Sequence, residues 1–302
     1  MSRSAVVTGA TGFIGGRLAA RLVQRGWRVN AIVRPRSDTS GIAPGVELRA
    51  HDGNAEALEA VLNECRPDVV FHLASAYLAS HRPDQVDELV QSNVLFAAQL
   101  AEAMTAAGIT RLVNTGTAWQ HFEGRAYDPV NLYAATKQAG GDVLRYYQNA
   151  RGLSLVTLKL FDTFGEGDKR RKLAQLLLDS AVGGAPLELS PGLQLLDLTH
   201  VDDVVEAFQV AAERLLASGE RLDEEFLVSG ERMDIRALAG LVERIAGGPL
   251  NVEFGARPYR EREVMVPVEP GTPPLLPGWE RRRSLATWLQ ARLRDARADH
   301  AA

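Results

Sequence analysis

A glycine-rich turn near the start of the chain constrains the fold more than any other feature. Thr8-Gly9-Ala10-Thr11-Gly12-Phe13-Ile14-Gly15 follows the apolar run Ala5-Val6-Val7 and opens onto Phe13 to Arg25, where apolar residues recur at helical spacing. A strand that runs through a tight turn into a helix is where a dinucleotide pyrophosphate binds. Glycines let the backbone approach the phosphates, and the helix N-terminus, near Phe13 and Ile14, presents free amides and a positive dipole end to the anion. The turn's candidate cofactor contacts are therefore Gly9, Thr11, Gly12, Phe13 and Ile14.

Apolar, β-branched runs then alternate with helical patterns. The runs are 5–8, 28–33, 46–49, 68–73, 111–115 and 153–160, and the helical stretches 13–25, 55–65, 84–107, 130–150 and 201–216. Six strands alternating with helices predict an α/β fold: a Rossmann-type, doubly wound parallel sheet covered on both faces. After about Asp162 prolines and glycines interrupt the pattern, as at Gly183-Gly184-Ala185-Pro186 and Ser190-Pro191-Gly192. We expect a smaller α/β substrate-binding lobe there, closing over the carboxyl ends of the strands. The expected division gives residues 1–161 plus about 196–230 to the nucleotide-binding domain, and 162–195 plus about 231–302 to the lobe.

Composition narrows the partners. The 302 residues are 46% hydrophobic and carry a net charge of −4, with basic residues scattered apart from Arg281-Arg282-Arg283. Such a chain buries a full core and has no strip for tracking a nucleic-acid backbone. No apolar stretch approaches the ~20 residues that span a bilayer. The single cysteine, Cys65, cannot form an internal disulfide, and no charged-then-apolar leader precedes the first strand, so a cytoplasmic location is expected. His51, His81 and His121 show no metal-ligand spacing, and no metal is expected.

Tyr133 and Lys137, four residues apart in a helical stretch, project from one helix face. An ammonium close to a phenol lowers the phenol's pKa towards neutrality, so that the tyrosine exchanges a proton with a carbonyl or alcohol oxygen; the lysine can also hold a nicotinamide ribose. A hydroxyl donor should complete such a site, and Asn114-Thr115-Gly116-Thr117 at the end of the preceding strand supplies one, with Thr117 the candidate. Thr117, Tyr133 and Lys137 are thus the candidate catalytic residues. The second strand ends in Val33-Arg34-Pro35-Arg36, where an NAD enzyme places an acidic residue for the ribose 2′-hydroxyl. Arg34, helped by Arg36, suits a 2′-phosphate, so NADP(H) is expected over NAD. Asp38 stands a few residues too far on for a ribose ligand.

These residues resemble the extended branch of the short-chain dehydrogenase/reductase superfamily, which acts on nucleotide sugars. Further segments carry the likeness. Asp52-Gly53 looks like the branch's adenine-contacting turn, His72-Leu73-Ala74-Ser75 like its cofactor floor, Asn93 like its helix asparagine, and His200-Val201-Asp202-Asp203 like a mostly structural late motif. The resemblance implies cofactor contacts at Asp52, Gly53, Leu73, Ala74, Ser75, Tyr133, Lys137 and Leu160. A 4,6-dehydratase of this branch carries Asp-Glu directly after its threonine; here Ala118 and Trp119 follow. Reduction, oxidation or epimerisation through one hydride and one proton remain.

Asn114 to His121, Asn131 to Gln138, Lys159 to Gly165 and Gly255 to Glu263 look more closely like the abequose/paratose synthase group of 4-ketoreductases. That likeness implies an NDP-4-keto-6-deoxyhexose or 3,6-dideoxyhexose substrate. Leu196 stands where many members of the branch have an arginine, and Asp162 where they have a phosphate-contacting asparagine. Diphosphate binding must then lean on Arg260, with Lys172 and Arg170 as helpers; the expected substrate set is Tyr77, Thr117, Asp162, Lys172 and Arg260. A nucleotide-sugar 4-epimerase with tightly held NAD and a silent NADP(H) sensor stay open as alternatives. The helices over 84–107 and 130–150 carry apolar faces beyond what one sheet needs, and in this family such a pair makes a dimer interface, so a homodimer is expected.

Overall fold

The computed structural model describes residues 2–51, 53–184, 186–269, 271 and 273–301; Asp52 lies outside them. Strand β1 (Ser4–Thr8) is buried at all five positions, which is why its sequence is a continuous apolar run rather than an alternating one. It pairs with β2 (Arg28–Val33), which pairs with β3 (Val46–Ala50), and on its other side with β4 (Val69–His72). Beyond β4 lie β5 (Arg111–Thr117) and β6 (Ser154–Leu160), every pairing being parallel. The strand order reverses between β1 and β4, so a crevice opens past the paired residues Thr8 and His72.

Helix α1 (Phe13–Gln24) covers one face of the sheet, while α2 (Ala55–Cys65), α4 (Phe96–Ala106) and α5 (Leu132–Arg151) cover the other. The stretch read as one helix over 84–107 is compound. A short α3 (Val86–Val90) leads into α4 through a single π turn at Gln91–Leu95, which brings Asn93 inward to 1% exposure. Gly140 of α5 is small for this reason: a Cβ there would stand 2.2 Å from the Asn93 carbonyl oxygen.

Past β6 the chain leaves the sheet through β7 (Asp162–Phe164), α6 (Leu173–Gly183), β8 (Leu187–Leu189) and β9 (Leu195–His200). Helix α7 (Val201–Ala217) then packs beside α1 and returns the chain as β10 (Asp223–Val228), a seventh parallel strand next to β6 that the sequence pattern does not announce. Strand β11 (Glu231–Asp234), α8 (Ile235–Ala246), β12 (Val252–Phe254) and α9 (Leu285–Ala301) complete the fold. Strand β9 pairs with β7 and β11, and β8 with β12. Leu177, Leu238, Trp288 and Leu289 form an apolar cluster distinct from the two that flank the large sheet. Asp203, 1% exposed, anchors the link into α9 by accepting from the backbone of Arg282 and Arg283 and pairing with the Arg283 guanidinium at 2.5 Å. Its role is structural.

Candidate active site

A cleft of about 700 Å³ occupies the crevice beyond β1 and β4, with Thr11, Gly12, Phe13 and Ile14 along one wall. Its floor is a backbone cradle. Gly9 has φ +73°, and a Cβ on it would lie 2.6 Å from the Ala74 nitrogen and the Leu73 carbonyl carbon; one on Gly15 would lie 2.2 Å from the Gly9 oxygen. Two backbones thus pass as closely as glycine allows. Gly12 caps α1 without a side-chain hydrogen bond, and the first turn has no acidic residue, so the helix's opening amides face the cleft. This cradle fits a dinucleotide pyrophosphate.

Leu73, Ser75 and Leu160 also line the cleft, whereas Ala74 serves the floor by donating its N–H to Thr8 Oγ1 at 3.1 Å. Asn93 fixes this segment: its Oδ1 accepts from Ser75 Oγ at 2.9 Å and from the Ala76 nitrogen at 3.0 Å, while its Nδ2 donates to the Ala76 carbonyl and to Thr136 Oγ1. The Gly53 carbonyl is engaged by Gln99, and neither Gly53 nor Arg34 is part of the cleft wall. Arg34 is exposed at the end of β2. Asp38 does line the cleft, because the chain after β2 turns back; Ser40 donates to it from backbone and side chain and holds its carboxyl below the usual range. Distance along the chain from the strand end does not reveal this placement of Asp38.

Tyr133 stands in the first turn of α5. Asn131 caps that helix by accepting from the Ala134 nitrogen at 2.9 Å, and donates to the Ala79 carbonyl at 3.0 Å, tying the helix start to the segment after β4. Burial and the neighbouring Tyr77 phenol push the Tyr133 pKa up; hydrogen bonding with Ser75 and Thr117 and the charge of Arg170 oppose the rise. This corrects the expectation of a phenol lowered towards neutrality. Lys137, only 5% exposed, has its own pKa lowered by burial to about 8, and its charge is felt at His72, whose pKa burial and Lys137 bring down to about 3. Thr117, 7% exposed, faces the same cleft as Tyr133.

An aromatic wall flanks the phenol. The Tyr77 ring lies 5.0 Å from that of Tyr133 and 5.9 Å from that of Trp119, centroid to centroid. Arg170 sits 5.8 Å from both the Tyr77 and Phe13 rings, held in a two-pronged pair by Asp168 at 2.8 and 2.9 Å. Asp162 lines the cleft with its pKa raised by burial, facing the charges of Lys172, Arg170 and Arg260. Lys172 donates one hydrogen bond to the Thr163 carbonyl at 2.7 Å. Arg260 is exposed beyond the cleft wall, yet its charge reaches Tyr77 and Asp162. The structure therefore brings Tyr77, Thr117, Tyr133, Asp162, Lys172 and Arg170 to one place, and leaves Arg260 at its rim. Asp168 escaped the sequence reading; its nearness to Arg170 in the chain was the available signal. Among the described residues no cluster of His, Cys, Asp and Glu is placed to hold a metal ion, and no helix is long and apolar enough to cross a membrane.

Residues 5–222 match the NAD dependent epimerase/dehydratase family. The chain belongs to that family. Among relatives, a CDP-abequose synthase of Yersinia pseudotuberculosis is 27% identical, over 87% of this chain and 90% of its own, and a UDP-glucose 4-epimerase of Corynebacterium glutamicum is 26% identical over 83% of each. The UDP-glucose 4-epimerase of Thermus thermophilus, solved with NAD, shares the fold at a TM-score of 0.78 and 23% identity, over 97% of this chain and 99% of that one. Members of the epimerase/dehydratase family are nicotinamide-dependent, in keeping with the cradle at Gly9 and Gly15.

Proposed function

We propose that this enzyme reduces the C4 ketone of a nucleotide-linked 4-keto-6-deoxyhexose, or 3,6-dideoxyhexose, with NADPH. The observation that carries the reading is the joint presence of Thr117 and Tyr133 in the nucleotide cleft, followed by Ala118 and Trp119, which offer no acid or base for dehydration. The cradle at Gly9, Gly12 and Gly15 would hold a reduced nicotinamide nucleotide, which would supply the hydride for C4. Tyr133 gives its phenolic proton to the oxygen as the ketone becomes an alcohol, and the raised phenol pKa keeps that proton in place beforehand. Thr117 donates a hydrogen bond to the same oxygen, in a position fixed before reaction. Lys137 holds the nicotinamide ribose, and Arg170, Lys172 and Arg260 bind the sugar's diphosphate. The wall of Tyr77 and Trp119 suits the apolar face of a deoxysugar. Val90 and Leu95 on the compound helix and Tyr146 on α5 are exposed by 42, 50 and 53%, and we assign them to a homodimer interface. We assign the enzyme to the cytoplasm because its single cysteine, Cys65, is a free thiol with no disulfide to depend on.

A second reading has an observation of its own. Asp38 in the cleft and Arg34 outside it favour NAD, and a retained NAD would make a 4-epimerase. The test follows loss of reduced-nicotinamide absorbance, with NADPH and then NADH, against CDP- and dTDP-4-keto-6-deoxyhexoses. Oxidation preferring NADPH, lost in Tyr133→Phe, is expected; near-wild-type turnover in Tyr133→Phe overturns the mechanism. Copurified NAD and exchange of C4 epimers would select the epimerase, and NADPH binding without turnover of any sugar the sensor. In Arg34→Ala the affinity for NADPH should fall at least tenfold with little change for NADH; the same loss in Asp38→Asn for NADH reverses the cofactor assignment.

A further inference from the structure

Beneath the strand end that carries Thr117 runs a buried polar chain that the proposed chemistry does not use. Lys159 of β6, 2% exposed, places Nζ 2.9 Å from Glu225 Oε2 on β10 and 2.7 Å from His121 Nε2. On the other side of the imidazole, Nδ1 lies 3.0 Å from the Arg125 carbonyl oxygen. A carbonyl only accepts, so Nδ1 carries the hydrogen; an ammonium only donates, so Nε2 must offer its lone pair. Both bonds are satisfied together by neutral His121 in one tautomer. An added proton on Nε2 would set two buried cations face to face, beside the Glu225 carboxylate.

The loop that His121 anchors carries the site. Gln120, 4% exposed, accepts from the Thr117 nitrogen at 2.9 Å and donates to Gln138 Oε1 at 2.5 Å, and Gln138 in turn donates to Asp142. One amide thus joins the end of β5 to the turn of α5 that holds Lys137. The Trp119 carbonyl accepts from Val130 at 2.9 Å, the Gln120 carbonyl from Asp128 at 3.1 Å, and Arg262 pairs with Asp128 while lying 4.2 Å over the Phe122 ring. Strand β5 is shaped to this network, since a Cβ on Gly116 would come within 2.9 Å of both Gln120 Oε1 and Lys159 Cγ.

We propose that His121 is a positioning residue: as a neutral acceptor for Lys159 it seats the 118–130 loop, and its protonation unseats Thr117 and Trp119. The groups facing the ring are the Lys159 ammonium from β6, the Glu225 carboxylate from β10, and the backbone carbonyls of Arg125 and Ala126 from its own loop; Arg145 of α5 approaches Glu225 at 3.4 Å. Burial first and Lys159 second hold the His121 pKa below the ordinary histidine value, in accord with this arrangement.

The test is a pH titration of histidine ring protons in the full chain by NMR, with His121 assigned through His121→Gln and Trp119 fluorescence isolated by difference from Trp119→Phe. In the wild type, His121 should protonate below the ordinary histidine range, and the Trp119 signal should change in step. Lys159→Met should raise the proton affinity of His121 about tenfold. Should that variant not fold, Glu225→Gln should shift the titration the other way, because the ammonium is then uncompensated. Identical His121 titration in wild type and variant, or a Trp119 signal indifferent to it, overturns the proposal. Only the kinetic consequence rests on the reductase reading: the acid limb of kcat should move with the NMR titration in Lys159→Met while KM for NADPH stays put. A complete lack of turnover, with titration and fluorescence behaving as expected, sustains the role of His121 and counts against the reductase alone.

Discussion

Thr8 Oγ1 lies 2.9 Å from His72 Nδ1, across the two strands whose divergence opens the cleft. The same oxygen accepts from the Leu73 and Ala74 nitrogens at 3.2 and 3.1 Å, so its own hydrogen points to His72 and places the imidazole proton on Nε2. One buried hydroxyl thereby fixes the floor against which Gly9 packs. Thr8→Val keeps the shape and removes all three bonds. We expect a loss of roughly 2–3 kcal/mol of stability, set by orphaned buried groups rather than lost area. Urea denaturation checks this, and an unchanged midpoint would refute it.

His72 should make the protein acid-sensitive. Burial lowers its pKa from 6.5 to about 3, so between these values the unfolded chain binds a proton that the folded chain refuses. Stability therefore falls as pH drops from about 6.5 towards 3, by as much as roughly 4–5 kcal/mol over the whole window. His72→Asn retains an acceptor for Thr8 and cannot titrate. Its stability should vary less with pH across that window; parallel curves for the two proteins would show that His72 is not the cause.

Gly15 sets two magnitudes against each other. In a helix interior alanine is favoured over glycine by about 1 kcal/mol, so on propensity alone Gly15→Ala should stabilise α1. The new methyl would, however, lie 2.2 Å from the Gly9 oxygen, a backbone atom with no flexible end to yield. Sterics win. We expect the turn to be displaced and nicotinamide-nucleotide affinity, measured by calorimetry, to fall more than tenfold; wild-type affinity would mean the cradle is not the pyrophosphate site.

The parts of this protein legible in its sequence are those where burial is uniform. Strands β1, β2, β4 and β6 are buried along nearly their whole length and stand out as largely apolar runs, and the turn at Gly9 is bounded by the first of them. Strand β10 opens with Asp223-Glu224-Glu225, and its acids pair with Arg214, Arg145 and Lys159 rather than water alone, so it lacks the apolar signature of its neighbours. The π turn at Asn93 leaves no periodic trace, since a single inserted residue hardly alters the apolar spacing. At the site, spacing places Tyr133 and Lys137 on one face, but the sign of each pKa shift depends on depth. A phenol and an ammonium for which burial is the dominant influence both move towards their uncharged forms, which no four-residue spacing encodes.

Lys137 exposes a conflict between the site and the fold. Its pKa is lowered from 10.5 to about 8 by burial, which means that at neutral pH the ligand-free protein carries an ammonium it would rather shed. The folded chain binds fewer protons than the unfolded one between about 8 and 10.5, so stability should rise with pH through that interval, by up to roughly 3 kcal/mol. Below about 8 both states are charged and the whole cost is present. Lys137→Met, similar in length and uncharged, should then be more stable than the wild type at about pH 7 by up to the same amount, with the difference shrinking as pH rises past about 8. It should at the same time lose turnover and hold nicotinamide nucleotide more weakly. Denaturation curves at two pH values and one binding isotherm decide the matter. A destabilised Lys137→Met at neutral pH would mean that the ammonium has a stabilising partner in the folded protein, and that the lysine is part of the fold as well as of the site.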